Sequence, residues 1–165
     1  MSLFFKRLIC SSLLSFMVTH TLFADEMQKP KTNTEQSVII LNTKDIKWGA
    51  ANILRGEERA NLQGDSSKAE IYTYRAKFRP NSKIPPHWND KDTFITVISG
   101  SADLGLVDTV DMSKSTRLTA GAFVAIPAKT HFWISYPEET VIQFNAMGPF
   151  GVHFINPNDD PRNKK

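Results

Sequence analysis

Cysteine is nearly absent: the 165 residues contain one, Cys10. Charge of one sign is scarce too, with 20 Lys and Arg against 17 Asp and Glu. Long apolar runs are confined to the start. The first 24 residues, MSLFFKRLICSSLLSFMVTHTLFA, hold Lys6 and Arg7, then an apolar run from Leu8 to Val18, then Ala24 before the acidic pair Asp25 and Glu26. This order of charged, apolar and small-residue regions reads as a secretory signal peptide over residues 1–24, which implies a periplasmic or secreted protein. The run is shorter than the roughly 20 residues that span a bilayer, so no stable membrane insertion is expected after cleavage. Removing the segment leaves 141 residues with 18 basic and 17 acidic side chains and no cysteine. Disulfides, thiolate metal sites and a cysteine nucleophile are thereby excluded from the mature chain. A surface so close to neutral gives little attraction for a phosphate backbone, and nucleic acid is excluded as a partner.

What remains is long enough for one domain and too short for two. Residues 25–37 are polar, contain Pro30 and show no periodicity, and read as a flexible leader; the folded domain is expected over 38–162, with 163–165 as a basic tail. Ordered structure is expected to begin at SVIIL, residues 37–41. Runs rich in Val, Ile, Phe, Tyr and Thr follow, at 69–78, 94–99, 121–128, 131–135 and 140–148. RPNSKIPP and GSADLG separate them and read as turns. Such spacing predicts an all-β protein, an antiparallel sandwich or barrel. Only NILRGEERANL hints at a helical turn. In IYTYRAKF the even positions Tyr72, Tyr74, Ala76 and Phe78 form an apolar face against Thr73, Arg75 and Lys77. FITVIS and GAFVAIP are apolar on both faces and are expected to be central strands. The pairs Glu57 with Glu58 and Glu138 with Glu139 read as solvated loop charges.

Two segments carry motifs. The first is IPPHWNDKDTFITVISG, with His87, Asn89, Thr93 and Gly100; the second is GAFVAIPAKTHFWIS, with Gly121, Pro127 and His131. Together they resemble the cupin superfamily, whose first motif is His-x-His, three or four residues, Glu, six residues and Gly. Its second motif is Gly, five residues, Pro-x-Gly, two residues and His. Flanking segments extend the likeness over residues 46–162, in the manner of small single-domain bacterial cupins. The resemblance implies a jelly-roll β-barrel (double-stranded β-helix) with both motifs at one mouth, and a homodimer formed through sheet edges.

The resemblance also implies a divalent metal ion held by three imidazoles and a carboxylate, and here the motif is degenerate. Asn89 stands for the second His, Thr93 for the Glu, and Lys129 for the Gly of Pro-x-Gly. His87 and His131 are assigned to the two retained ligand positions, with Asn89 as an additional weak donor. Half of a structural site worth about 10–16 kcal/mol would bind only weakly. Asp90, Asp92 and His153 are candidates to repair it, the carboxylates through a bulge in WNDKD, although His153 is more simply a strand histidine with a hydrogen bond. A small-molecule site is expected to include His87, Asn89, Thr93, His131, Trp133 and Gln143. Trp133 shares parity with His131, whereas Trp88 and Phe132 read as packing residues. Three functions follow as expectations: a non-catalytic module that binds a small molecule or a metal weakly, a metal-dependent dioxygenase or isomerase using His87, His131 and an unusual third ligand, or an interaction module with a vestigial mouth.

Overall fold

A computed structural model describes residues 37–51 and 57–163; the signal peptide, nearly all of the leader and the last two residues of the basic tail lie outside the described residues. Eleven strands are described: β1 (Gly49–Ala50), β2 (Glu58–Gln63), β3 (Ile71–Phe78), β4 (Ser82–Asn89), β5 (Thr93–Ser99), β6 (Ser101–Gly105), β7 (Ser115–Thr119), β8 (Phe123–Ile126), β9 (Phe132–Tyr136), β10 (Thr140–Met147) and β11 (Val152–Phe154). They form a six-stranded sheet in the order β1-β2-β3-β10-β5-β8 and a five-stranded sheet in the order β11-β4-β9-β6-β7, and every pairing is antiparallel. This is the expected all-β, jelly-roll type of barrel. Among the described residues no helix is long and apolar enough to cross a membrane.

The period-two pattern read in β3 places Tyr72, Ala76 and Phe78 in the core, each no more than 3% exposed. β10 repeats it with Ile142, Phe144 and Ala146, and its register sets Phe144 beside Tyr74 on β3 and Ile95 on β5. Tyr74 and Phe144 stack with ring centroids 4.7 Å apart, and Phe78 stacks on Tyr136 of the opposite sheet at 3.8 Å.

Several expectations are corrected. RPNSKIPP is not a turn throughout: its last five residues belong to β4. Pro85 and Pro86 donate no hydrogen bond, but they fall where the β4–β9 register breaks between Ile84 and His87, so no ladder bond is lost there. GSADLG contributes β6, whose five residues are all buried between β9 and β7. Gly105 is required there because a Cβ would collide with the Trp133 indole. Asp103 is buried on the same strand only because Arg117 Nε donates to it at 2.6 Å. Gly100, which turns β5 into β6 at φ 76°, leaves no room for a side chain against Glu139 and Thr140.

β8 is an edge strand, not a central one; it pairs only with β5, and Phe123 is 63% exposed, stacked on Phe94. ERANL forms most of β2 where a helical turn was expected. SVIIL forms no strand, and Val38 and Ile40 are 87% and 79% exposed. Lys129 keeps the left-handed backbone of the glycine it replaces, at φ 64°, and its N–H donates to the Asn89 carbonyl at 2.8 Å. The C-terminal segment packs against the barrel through Arg162, which donates to the Val152 carbonyl and pairs with Asp160.

Candidate functional site

The two sheets enclose a lumen of about 510 Å³. One wall is built from Tyr74, Phe78, Ile95 and Phe144; the other from Ile84, His87, Phe132, Ile134 and Tyr136. Phe150 and Phe154 close one side, and Glu57, Arg59 and Asn61 supply a polar rim.

His87 and Asn89, two apart on β4, share the lumen face as their spacing requires, and each is 4% exposed. Thr93, at the start of β5, is fully buried beside them and accepts a 3.0 Å bond from Asn89 Nδ2. Asn89 Oδ1 has no partner. His87 Nδ1 lies 2.7 Å from the Pro85 carbonyl. A carbonyl only accepts, so Nδ1 carries the proton and Nε2 is left as the acceptor. The three residues singled out in the first motif are thus brought together.

Those drawn from the second motif are not. His131 is exposed, with Nδ1 2.7 Å from Asp108, and does not line the lumen. Phe132 does: it is the cross-strand partner of His87, with ring centroids 4.1 Å apart. The motif pattern itself agrees once counted through. Five residues separate Gly121 from Pro127, and two residues, Thr130 and His131, separate position 129 from 132. The imidazole position is therefore occupied by Phe132, and His131 lies one residue out of register. Because strand side chains alternate, Trp133 leaves with it. Trp133 is fully buried on the other face of β9, against Gly105. Gln143 also faces away, accepting from Arg75 Nε at 3.3 Å, and Asn145 beside it donates to Thr73.

The repair candidates are spoken for as well. Asp90 faces His153 Nε2 at 2.9 Å, His153 stacks on Trp88 at 3.9 Å, and Asp92 accepts the N–H of Ala128. His153 is the hydrogen-bonded strand histidine of the simpler reading. Metal ligation therefore does not fit this donor set. Of the four positions only His87 offers a strong ligand; Asn89 offers its unpaired Oδ1, a weak donor, Thr93 accepts from Asn89 Nδ2, and Phe132 supplies no donor atom. No group of three His, Cys, Asp or Glu side chains among the described residues is arranged to hold an ion.

Sequence reasoning missed the rim. Glu57, read as a solvated loop charge, lines the lumen, and burial pushes its carboxyl up from 4.5 to about 7, against the opposing pull of Arg59. The Arg59 guanidinium lies 3.7 Å above the Tyr74 ring, and Nε donates to Asn61 Oδ1 at 2.9 Å. The signal available was parity: Glu57, Arg59 and Asn61 alternate along one face of a segment taken for helix. Burial also raises the Tyr74 and Tyr136 hydroxyls far above their ordinary value, so both remain protonated donors.

The family model for cupins matches residues 60–148. No curated protein matches the chain significantly in sequence. Among solved structures, the polyketide cyclase RemF from Streptomyces resistomycificus is similar in fold, with a TM-score of 0.63 at 18% identity over 76% of this chain and 90% of that one. An RmlC-like cupin from Shewanella frigidimarina gives 0.54 at 17% identity, covering 67% and 91%. KdgF from a Halomonas species gives 0.52 at 18% identity, covering 68% and 94%. At these identities the likeness is one of fold.

Burial acts on two titrating groups in opposite directions. It lowers His87 from 6.5 to about 4, partly offset by the Pro85 carbonyl, so the folded state binds fewer protons there and stability rises with pH between about 4 and 6.5. At Glu57 the folded state binds more protons, so its contribution is fully present below 4.5 and is lost as pH climbs through about 7. The stability advantage of Glu57→Gln over the unsubstituted protein is therefore expected to grow between pH 4.5 and 7, by on the order of 3 kcal/mol. Urea unfolding across this range measures it; parallel profiles for the two proteins would show that Glu57 is solvated.

Proposed function

Because the chain belongs to the cupin family, matched over residues 60–148, we propose that it uses the family's barrel without the family's metal, as a binding protein for a small organic molecule held in the lumen. One observation carries this reading: Phe132 faces His87 where a second-motif imidazole would complete a metal site. The lumen that remains is walled by aromatic rings from both sheets, which favours an apolar, ring-bearing ligand. Binding, not turnover, is the principal role. A second, catalytic reading has one observation in its favour, the Glu57 carboxyl that titrates near neutrality inside the same lumen as the neutral His87, a combination suited to proton transfer.

Metal analysis of protein purified without added metal tests the proposal. The expected content is far below one ion per chain, whereas close to one ion per chain would overturn it. The triple change Asn89→His, Thr93→Glu and Phe132→His is expected to create divalent binding, seen as a rise in thermal stability with added zinc. The double change at Asn89 and Thr93 alone, with Phe132 left in place, is expected to give a smaller rise.

We also propose that the protein is exported, on the strength of Lys6, Arg7, the apolar run to Val18 and Ala24. N-terminal sequencing of the mature chain is expected to begin at Asp25. Recovery of the intact Met1 terminus from cells able to process signals would contradict it.

A further inference from the structure

Arg59 is held in place without a counter-ion among the described residues. Its guanidinium carbon lies 3.7 Å from the centre of the Tyr74 ring, and one nitrogen, Nε, is tied to Asn61. The two terminal amino groups have no partner among the hydrogen bonds of the described residues, and none of the ion pairs among those residues involves Arg59, so no counter-ion is described for it. Arg75 and Arg79 are in no ion pair either, but neither of them lines the lumen. Arg117 and Arg162 each meet a carboxylate, at 2.6 and 2.7 Å. Among the described residues Arg59 is the one arginine or lysine that lines the lumen. The acid beside it, Glu57, is two residues away on the same face and outside ion-pair distance. Its burial keeps much of its population uncharged at neutral pH, so it compensates the guanidinium incompletely.

A cation drawn partly out of water among aromatic rings is unfavourable unless something answers its charge, and stacking on one ring answers it in part. The planar fork of a fixed guanidinium matches a carboxylate in geometry, presenting two parallel N–H donors. Beyond the rim, the lumen is lined by aromatic rings of both sheets: the stacked pair Tyr74 and Phe144 on one, Phe132 on the other, and the Phe78–Tyr136 stack that joins the two. A phosphate monoester would call for more than one cation at the rim, and among the described residues Arg59 is the one there.

We infer that the lumen takes a planar aromatic carboxylate, its carboxylate bound by Arg59 at the rim and its ring inserted between the aromatic walls of the two sheets. The inference rests on the proposed function above, since it names the class of molecule that the metal-free lumen binds. Arg59 is then the specificity residue, and Tyr74 and Asn61 position it.

Isothermal titration of the mature protein with naphthoate and with its neutral isostere naphthamide tests this. A charge-assisted bidentate contact predicts that naphthoate binds about 10- to 100-fold more tightly. Arg59→Leu is expected to remove that preference while leaving naphthamide affinity within about threefold, the hydrophobic contacts being unchanged. Arg59→Lys, which keeps the charge without the fork and guards against a folding defect in the leucine variant, is expected to restore part of the preference. Equal affinity for acid and amide in the unsubstituted protein would overturn the carboxylate inference and leave the aromatic lumen standing. Retention of the preference in Arg59→Leu would overturn the assignment to Arg59. Failure of both compounds to bind would overturn this inference together with the proposed function.

Discussion

Desolvation inside the barrel is the constraint on which the rest depends. Two antiparallel sheets close on each other through apolar faces of β3, β5, β9 and β10, and every polar group that reaches the lumen must live with little water. Histidine responds by staying neutral, its Nδ1 proton committed to the Pro85 carbonyl. Glu57 responds by holding its proton to about 7. Arg59 cannot discharge and is instead laid against a tyrosine ring. One physical cause thus fixes the protonation or posture of all three groups, and these define the chemistry the site offers: an imidazole acceptor, a carboxyl poised near neutrality and a half-satisfied cation.

The same scaffold shows how fold and chemistry part company. The turn glycine Gly100, the left-handed position held by Lys129 and the buried β6 all preserve the barrel. At the family's ligand positions stand residues that bond to each other, Thr93 accepting from Asn89, or that pack, Phe132 against His87. A metal site needs several donors to converge on one point, and three of the four positions here hold other residues on a barrel of the same fold.

Much of the fold was readable from alternation alone. β3 and β10 carry an apolar face at period two, and nothing in the tertiary structure contradicts it. Failures came where punctuation residues belong to strands. Pro85 and Pro86 sit at a bulge that demands no N–H, and Gly105 is needed by the Trp133 ring and not by a turn. The site was half readable. His87, Asn89 and Thr93 follow from local spacing, but a one-residue slip on β9 exchanged Phe132 for His131 and Trp133, since in a strand a shift of one reverses every side chain. Gln143 had two faces to choose between, and its sequence neighbours do not say which is wet. Glu57 and Arg59 were invisible for a different reason: whether an acid beside a turn is solvated or enclosed is decided by strands far away in sequence.

The protonation state of His87 tests the account most directly, because a metal-free, desolvated lumen and a metal-binding mouth make opposite demands on that ring. Nitrogen NMR of the imidazole reads both tautomer and charge. The account predicts a neutral ring protonated at Nδ1, titrating at about 4 and unmoved by excess zinc. A ring that titrates near its ordinary value of 6.5, or whose Nε2 resonance shifts on adding zinc, would contradict it.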